Sequence, residues 1–310
     1  MTAETPSLSV VIPIFNEAGS LEELYERLTR TLKTVNRPYE LIFVDDGSRD
    51  GSMDVVRLFH ARDPNVRAIR FNRNYGQHAA VFAGLQHARG DVIVTLDSDL
   101  QNPPEEIPVL LDKIDQGHDV VGGWRASRRD PLIRRLLSAA VNRVISATVD
   151  IRMRDYGCML RAYRREVVEQ ILRCTEISSF IPALANMFAA AVAEVPVKHE
   201  ARRHGRSQYG VVRLLRLNFD LLTGFSLLPI QTVSLAGMAI AMLGLGFGLF
   251  LGVRRLLVGP EVEGVFTLFA ILFFFVGLQI LALGLIGEYV ARVYQEVRRR
   301  PRYVVAELLE

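Results

Sequence analysis

Cysteine is nearly absent from this chain: Cys158 and Cys174 are the only two in 310 residues. That is too few for a disulfide framework and suits a reducing compartment. No Gly-x-Gly-x-x-Gly follows the first apolar strand and no phosphate-cradling Gly-Lys-Ser is present. A dinucleotide dehydrogenase and a P-loop NTPase are therefore disfavoured. The stretch Met1 to Leu8 is polar and lacks the basic-plus-apolar layout of an export signal, so the bulk of the chain is expected not to be exported. Net charge is only +3, and no nucleic-acid partner is expected. Charge is missing altogether from two stretches, 221–253 and 264–287. Each exceeds the roughly 20 apolar residues that a bilayer crossing needs, so two transmembrane helices are expected, about 226–253 and 264–287.

The flanks of those runs are basic. Arg202, Arg203, Arg206, Arg213 and Arg216 precede the first, and Arg292, Arg298, Arg299, Arg300 and Arg302 follow the second. The positive-inside rule places both flanks, and hence both termini, in the cytoplasm, with the link Arg254 to Glu263 outside. The pair Arg254 and Arg255 in the link is outweighed by the larger clusters. Segment 209–225 mixes Leu214, Leu215 and Leu217 with Arg213 and Arg216 and reads as an interfacial amphipathic helix. A second interfacial helix is expected near 132–149, and 291–310 reads as a basic tail.

Residues 1–208 carry a different pattern. Apolar strand-like runs at Ser9 to Ile14, Tyr39 to Val44, Val66 to Phe71 and from Val92 alternate with helical stretches. Ser20 is expected to cap the first helix, which carries Leu21, Leu24, Leu28 and Leu32 at helical spacing with Glu22 and Glu23 in its first turn. Such alternation predicts an α/β fold with a doubly wound, mainly parallel sheet. It also sets Pro13, Phe15 and Glu17, then Asp45 and Asp46, then Asp97 and Asp99, at the carboxyl ends of strands, where open sheets bind ligands.

The Asp97-Ser98-Asp99-Leu100-Gln101 stretch ends one such run, and Pro103-Pro104 stops the strand. Two hard carboxylates one residue apart, with the Gln101 amide after them, suit Mg²⁺ or Mn²⁺ that keeps waters and grips a diphosphate. Taken alone, the same residues serve equally as a polar corner bonded to local backbone. Asp45 and Asp46 offer acceptors for a base N–H or ribose hydroxyls, or else form a simple turn.

Val-Val-Ile-Pro-Ile-Phe-Asn-Glu from Val10, Val44-Asp45-Asp46-Gly47-Ser48 and Leu96-Asp97-Ser98-Asp99-Leu100-Gln101-Asn102-Pro103-Pro104-Glu105 resemble family 2 glycosyltransferases of GT-A fold. Asn72 to His78, Asp155 to Tyr163, Phe180-Ile181-Pro182, Gly287-Glu288-Tyr289 and Arg300-Pro301-Arg302-Tyr303 are similar to the branch that charges polyprenyl phosphates. The resemblance covers nearly the whole chain and implies a UDP-sugar donor, undecaprenyl phosphate as acceptor, a lipid bilayer as setting and a homotetramer. It implies that Arg125, Arg134 and Ser138 hold the acceptor phosphate and that Asp155 is catalytic or donor-binding, alongside Asp99. Because a phosphate acceptor is already anionic, its second pKa being about 6, Asp155 is expected to orient a substrate and not to act as an obligatory base. Arg202, Gly205 and Ser207 match the Arg-x-x-Gly-x-Ser-Lys-Tyr loop that closes over a diphosphate, with Gln208 standing where Lys is usual.

Three other readings stay open: a related donor such as UDP-glucose, a processive polysaccharide synthase, and a non-catalytic membrane scaffold. The synthase lacks support because Trp124 is the only tryptophan and no Gln-x-x-Arg-Trp motif occurs. The charge-free spans give little support to a conduction path.

Overall fold

The computed structural model describes residues 6–125, 155, 158–174, 180–200, 228–258, 265–298 and 301–310. The chain divides into two units, Met1–Gly210 with Pro301–Glu310, and Val211–Arg300. The first unit is built on one eight-stranded sheet of order β7-β5-β6-β4-β1-β2-β3-β8. Its strands are β1 (Leu8–Ile14), β2 (Tyr39–Asp45), β3 (Val66–Phe71), β4 (Val92–Thr95), β5 (Val120–Arg125), β6 (Arg161–Arg164), β7 (Val192–Val197) and β8 (Val305–Leu309). Its helices are α1 (Ala18–Val35), α2 (Ser52–Arg62), α3 (Gln77–His87), α4 (Ile107–Asp115), α5 (Arg165–Arg173) and α6 (Ile181–Phe188).

All seven residues of β1 are buried, as a parallel strand covered by helices on both faces must be. β1 pairs in parallel with β2 on one side and β4 on the other, so the order of winding reverses beside β1. That reversal opens a crevice at the strand carboxyl ends, the general ligand position of such sheets. Beyond β4 the sheet is mixed, because β6 lies antiparallel between β4 and β5. At the other edge β8 runs antiparallel to β3. The stretch 291–310, expected as a tail, therefore supplies a sheet strand whose Glu307 pairs with Arg57 through two hydrogen bonds, 3.0 and 2.6 Å.

The first helix departs from expectation at its start. Ser20 is not its cap: α1 begins at Ala18, and Glu22 and Glu23 fall beyond the first turn. Its amino end is satisfied from the loop after β2 instead. Ser48 Oγ accepts from Asn16 N–H, Ser52 Oγ from Glu17 N–H and Asp50 Oδ2 from Ala18 N–H, each at 3.0 Å. Ser20 Oγ is thereby available to donate to the Glu17 and Ser98 carbonyls, both at 2.9 Å. The second bond ties α1 to the Asp97–Asp99 loop.

The second unit contains α7 (Leu228–Val258, 31 residues) and α8 (Val265–Val297, 33 residues). Within α8, Phe274–Ala291 is long and apolar enough to cross a membrane, with a mean hydropathy of 1.8 and none of it buried. In α7 the apolar stretch Ile230–Gly244 is shorter.

Candidate active site

The carboxyl ends of β1, β2 and β3 form a pocket of about 420 Å³ whose lining includes Phe15, Asn16, Ser48, Arg49, Arg70 and Arg73. Gly47, with φ 72°, is obligatory there, since a Cβ would sit 2.6 Å from the Arg73 carbonyl carbon. Asp45 is buried and accepts from Ser48 N–H at 3.0 Å. Its Oδ2 is shielded from water without a hydrogen bond, although Arg70 Nε stands 3.5 Å away. Asp46 accepts from the backbone N–H groups of Tyr75 at 2.6 Å and Gly76 at 2.8 Å. Burial pushes its pKa up, against the pull of those two amides. Asp46 thus pins the 72–76 loop, a role that the Asp-Asp-Gly-Ser pattern alone does not reveal. Pro13 lies in β1, Phe15 is 37% exposed beside the pocket and Glu17 is buried at the start of α1.

The loop after β4 carries the paired carboxylates. Asp97 Oδ1 accepts from Gln77 Nε2 at 2.6 Å, and Asp99 Oδ1 accepts from the Gln101 backbone N–H at 3.1 Å. Between them and Gln101, Leu100 holds φ 61°, a left-handed conformation costing an L-residue about 1–2 kcal/mol. The Gln101 carbonyl accepts from Glu200 N–H at 2.9 Å, which brings the segment after β7 against this loop.

His199 arrives with that segment. Its Nδ1 is shielded without a hydrogen-bond partner. Burial lowers its pKa first and Arg125 pushes the same way, whereas Asp99, Asp155 and bonding to Gln101 push it up. Sequence reasoning did not select His199 or Gln77; the signal for His199 was its place three residues before Arg202. Among the described residues no three His, Cys, Asp or Glu side chains close into a metal cage. Two carboxylates with a neighbouring amide form the open kind of site that keeps waters and takes phosphate oxygens, so Asp97, Asp99 and Gln101 fit Mg²⁺ or Mn²⁺.

Arg125, at the end of β5, and Asp155 were selected for separate tasks, yet they form one pair. Arg125 Nε donates to Asp155 Oδ2 at 2.6 Å and Nη2 to Oδ1 at 2.9 Å, the bidentate geometry that fixes a guanidinium plane. Beneath them Arg161, 1% exposed, donates to the Cys158 carbonyl at 3.0 Å and the Asp155 carbonyl at 2.9 Å. Gly122 makes room for it, since a Cβ there would lie 3.0 Å from Arg161 Nη1. Tyr163 is fully buried in the core. Arg134, Ser138 and Arg202 lie outside the described residues, as do the expected interfacial helices at 132–149 and 209–225.

Residues 9–172 match the model of Glycosyl transferase family 2. The chain is 50% identical over 305 residues to an undecaprenyl-phosphate 4-deoxy-4-formamido-L-arabinose transferase of Shewanella sediminis, covering 97% of this chain and 92% of the relative. Proteins of the same name from Klebsiella pneumoniae (48% identity, 97% and 93% covered) and Salmonella choleraesuis (47%, 99% and 95%) are similar along their length. A crystal structure of glucosyl-3-phosphoglycerate synthase from Mycobacterium tuberculosis, in complex with Mn²⁺, UDP and phosphoglyceric acid, shares the fold. Its TM-score is 0.50 at 20% identity, over 70% of this chain and 76% of that one. With a GT-A-like mixed sheet, a family match over more than half its length and such relatives, the chain belongs to glycosyl transferase family 2 and is a glycosyltransferase.

Proposed function

We propose that this enzyme transfers 4-deoxy-4-formamido-L-arabinose, with inversion, from its UDP donor to undecaprenyl phosphate. The reaction is placed at the cytoplasmic face of a bacterial inner membrane, where it feeds lipid A modification and polymyxin resistance. The names of relatives at 47–50% identity support the donor and the acceptor. The observation that carries the reading is that two charge sets share one end of the sheet. Arg125, held by Asp155, stands opposite Val197 where β5 and β7 end, and three residues beyond Val197 the Glu200 N–H donates to the Gln101 carbonyl of the carboxylate loop at 2.9 Å. A donor diphosphate and an acceptor phosphate can thus be served side by side.

In this scheme the pocket lined by Phe15 and Asn16 takes the uridine, Pro13, Glu17 and Asp45 serve the donor from the neighbouring strand ends, and Asp46 fixes the 72–76 loop. Asp97, Asp99 and Gln101 would hold Mg²⁺ or Mn²⁺, which would supply Lewis-acid neutralisation of charge on the UDP leaving group. Arg202 assists at the diphosphate. Arg125, with Arg134 and Ser138, receives the acceptor phosphate, which is ionised near neutrality and attacks the anomeric carbon without a proton being removed. Asp155 orients the Arg125 guanidinium through its two hydrogen bonds. Two spans, 226–253 and 264–287, with interfacial helices at 132–149 and 209–225 anchor catalytic domain 1–208, and the protein assembles as a homotetramer.

Incubating the full chain in detergent with undecaprenyl phosphate and a panel of UDP-sugars tests the assignment. UDP-4-deoxy-4-formamido-L-arabinose is expected to turn over fastest. Exclusive turnover of UDP-glucose would overturn the arabinose donor, and no turnover of any donor would leave the scaffold reading ahead.

A further inference from the structure

The Arg-Pro-Arg-Tyr motif around residue 302 has no part in the chemistry above, yet its tyrosine packs on Phe71 of the donor pocket wall. Tyr303 stacks on Phe71 with ring centroids 4.7 Å apart and planes 18° apart. Phe71, itself buried, meets Tyr75 edge-on at 5.7 Å and 88°. Tyr75 in turn carries the Arg73 guanidinium 4.6 Å above its ring and gives its backbone N–H to Asp46. Phe71, Asn72 and Arg73 all line the pocket. The contact is anchored on three further sides. The Val304 carbonyl accepts from Asn72 N–H at 3.1 Å, the Tyr303 hydroxyl donates to Gln86 Oε1 at 2.7 Å, and Arg302 lies 3.9 Å over the Phe82 ring while donating to the Cys174 carbonyl at 2.6 Å.

We infer that Tyr303 is a positioning residue for the donor nucleotide. It acts through Phe71 and Tyr75, and sets where Arg73 and the 72–76 loop stand in the pocket. Stacked and edge-on aromatic pairs hold a preferred geometry beyond simple burial, so such a ladder transmits placement from one ring to the next. The segment 301–304 fastens to β3 and α3, the two elements that lead into and out of that loop. The inference rests on the UDP-donor reading of the pocket.

Calorimetry with UDP and Mn²⁺ on the full chain in detergent, paired with steady-state kinetics, provides the test. Tyr303→Ala is expected to weaken UDP binding about fivefold, equivalent to about 1 kcal/mol, and to raise the donor KM alike, with kcat within twofold and the lipid KM unchanged. Tyr303→Phe keeps the stack and is expected to restore wild-type UDP affinity. Glu310→Gln cuts the pair with Arg67 just beyond β8, away from the pocket, and serves as the control for general loosening. It is expected to lower the melting temperature while leaving UDP affinity alone. Undiminished UDP binding by Tyr303→Ala, a Tyr303→Phe variant as weak as the alanine, or an equal loss in Glu310→Gln would each overturn the inference. A wild type that binds no UDP is a separate result and overturns the donor reading itself.

Discussion

The two ends of the sheet bury charge in opposite ways. At the amino end, Glu40 and Arg67 are 4% and 6% exposed and belong to a nearly closed network. Glu40 accepts from Ser9 Oγ at 2.6 Å, from Arg67 Nη1 at 3.0 Å and from the Arg89 N–H at 2.6 Å, while Gly90 N–H donates to Ser9 Oγ at 2.8 Å. Only Arg67 Nε lacks a partner there. At the carboxyl end, Asp45 Oδ2 and His199 Nδ1 are shielded without hydrogen bonds. Two of the three non-glycine residues with positive φ among those described, Asn16 and Leu100, also lie there. Satisfied polar groups hold a fold in one arrangement, whereas unsatisfied groups and strained backbone persist where a ligand completes them. The amino end is thus a fastening, and the carboxyl end carries the features of the proposed site.

Substitutions at each end should separate those roles. The largest expected effect is at the carboxylate loop: Asp99→Ala should lower kcat by about a thousandfold, as removal of a key charge-stabilising group does, with little change in melting temperature. Asp97→Ala should behave alike, and rates near wild type in either variant would sink the metal-site assignment. At the amino end, Arg67→Met leaves Glu40 buried without its cation and should cost about 3–5 kcal/mol of stability. Thermal melting reads this loss, and the protein that stays folded should keep its kcat; a large kcat loss without a melting shift would erase the distinction between the ends. The smallest effect concerns Cys158, whose thiol burial pushes up to about 11. The raised value means that the protonated thiol stabilises the fold. That contribution is complete below the unfolded cysteine pKa of about 8.5 and is lost as pH rises through the folded value. Iodoacetamide should therefore label half-exposed Cys174 at neutral pH and spare Cys158 until the alkaline range. Equal labelling would show that the segment behind Asp155 opens.

Sequence legibility follows the same division. β1 to β4 and α1 to α3 were readable because strands covered on both faces are mostly apolar and alternate with helical stretches, α1 carrying Leu21, Leu24, Leu28 and Leu32 on its buried side. β6 was not, since Arg-Ala-Tyr-Arg offers four residues with two charges, and its pairing depends on distant β4 and β5. β8 was hidden by the basic residues before it, and its place is set by Arg57 and β3, far earlier in the chain. The helix start was misplaced because the groups that satisfy it, Ser48, Asp50 and Ser52, come from another loop. In the site, strand-end aspartates were legible from abrupt stops in apolar runs. The Arg125–Asp155 pair, Arg161 beneath it and the meeting of Glu200 with Gln101 depend on groups brought together across long separations, which spacing does not encode.

The central claim is that the carboxylate loop serves the leaving donor and the Arg125–Asp155 pair serves the attacking lipid. Steady-state kinetics with both substrates varied, on Asp99→Asn and Arg125→Lys, puts it to the test most directly. The Asp99→Asn defect should fall on the UDP-sugar, and the Arg125→Lys defect should appear as a raised KM for undecaprenyl phosphate with the donor KM unchanged. If Arg125→Lys leaves the lipid KM at its wild-type value, or if both variants impair the same substrate, the two charge sets do not divide the reaction in this way.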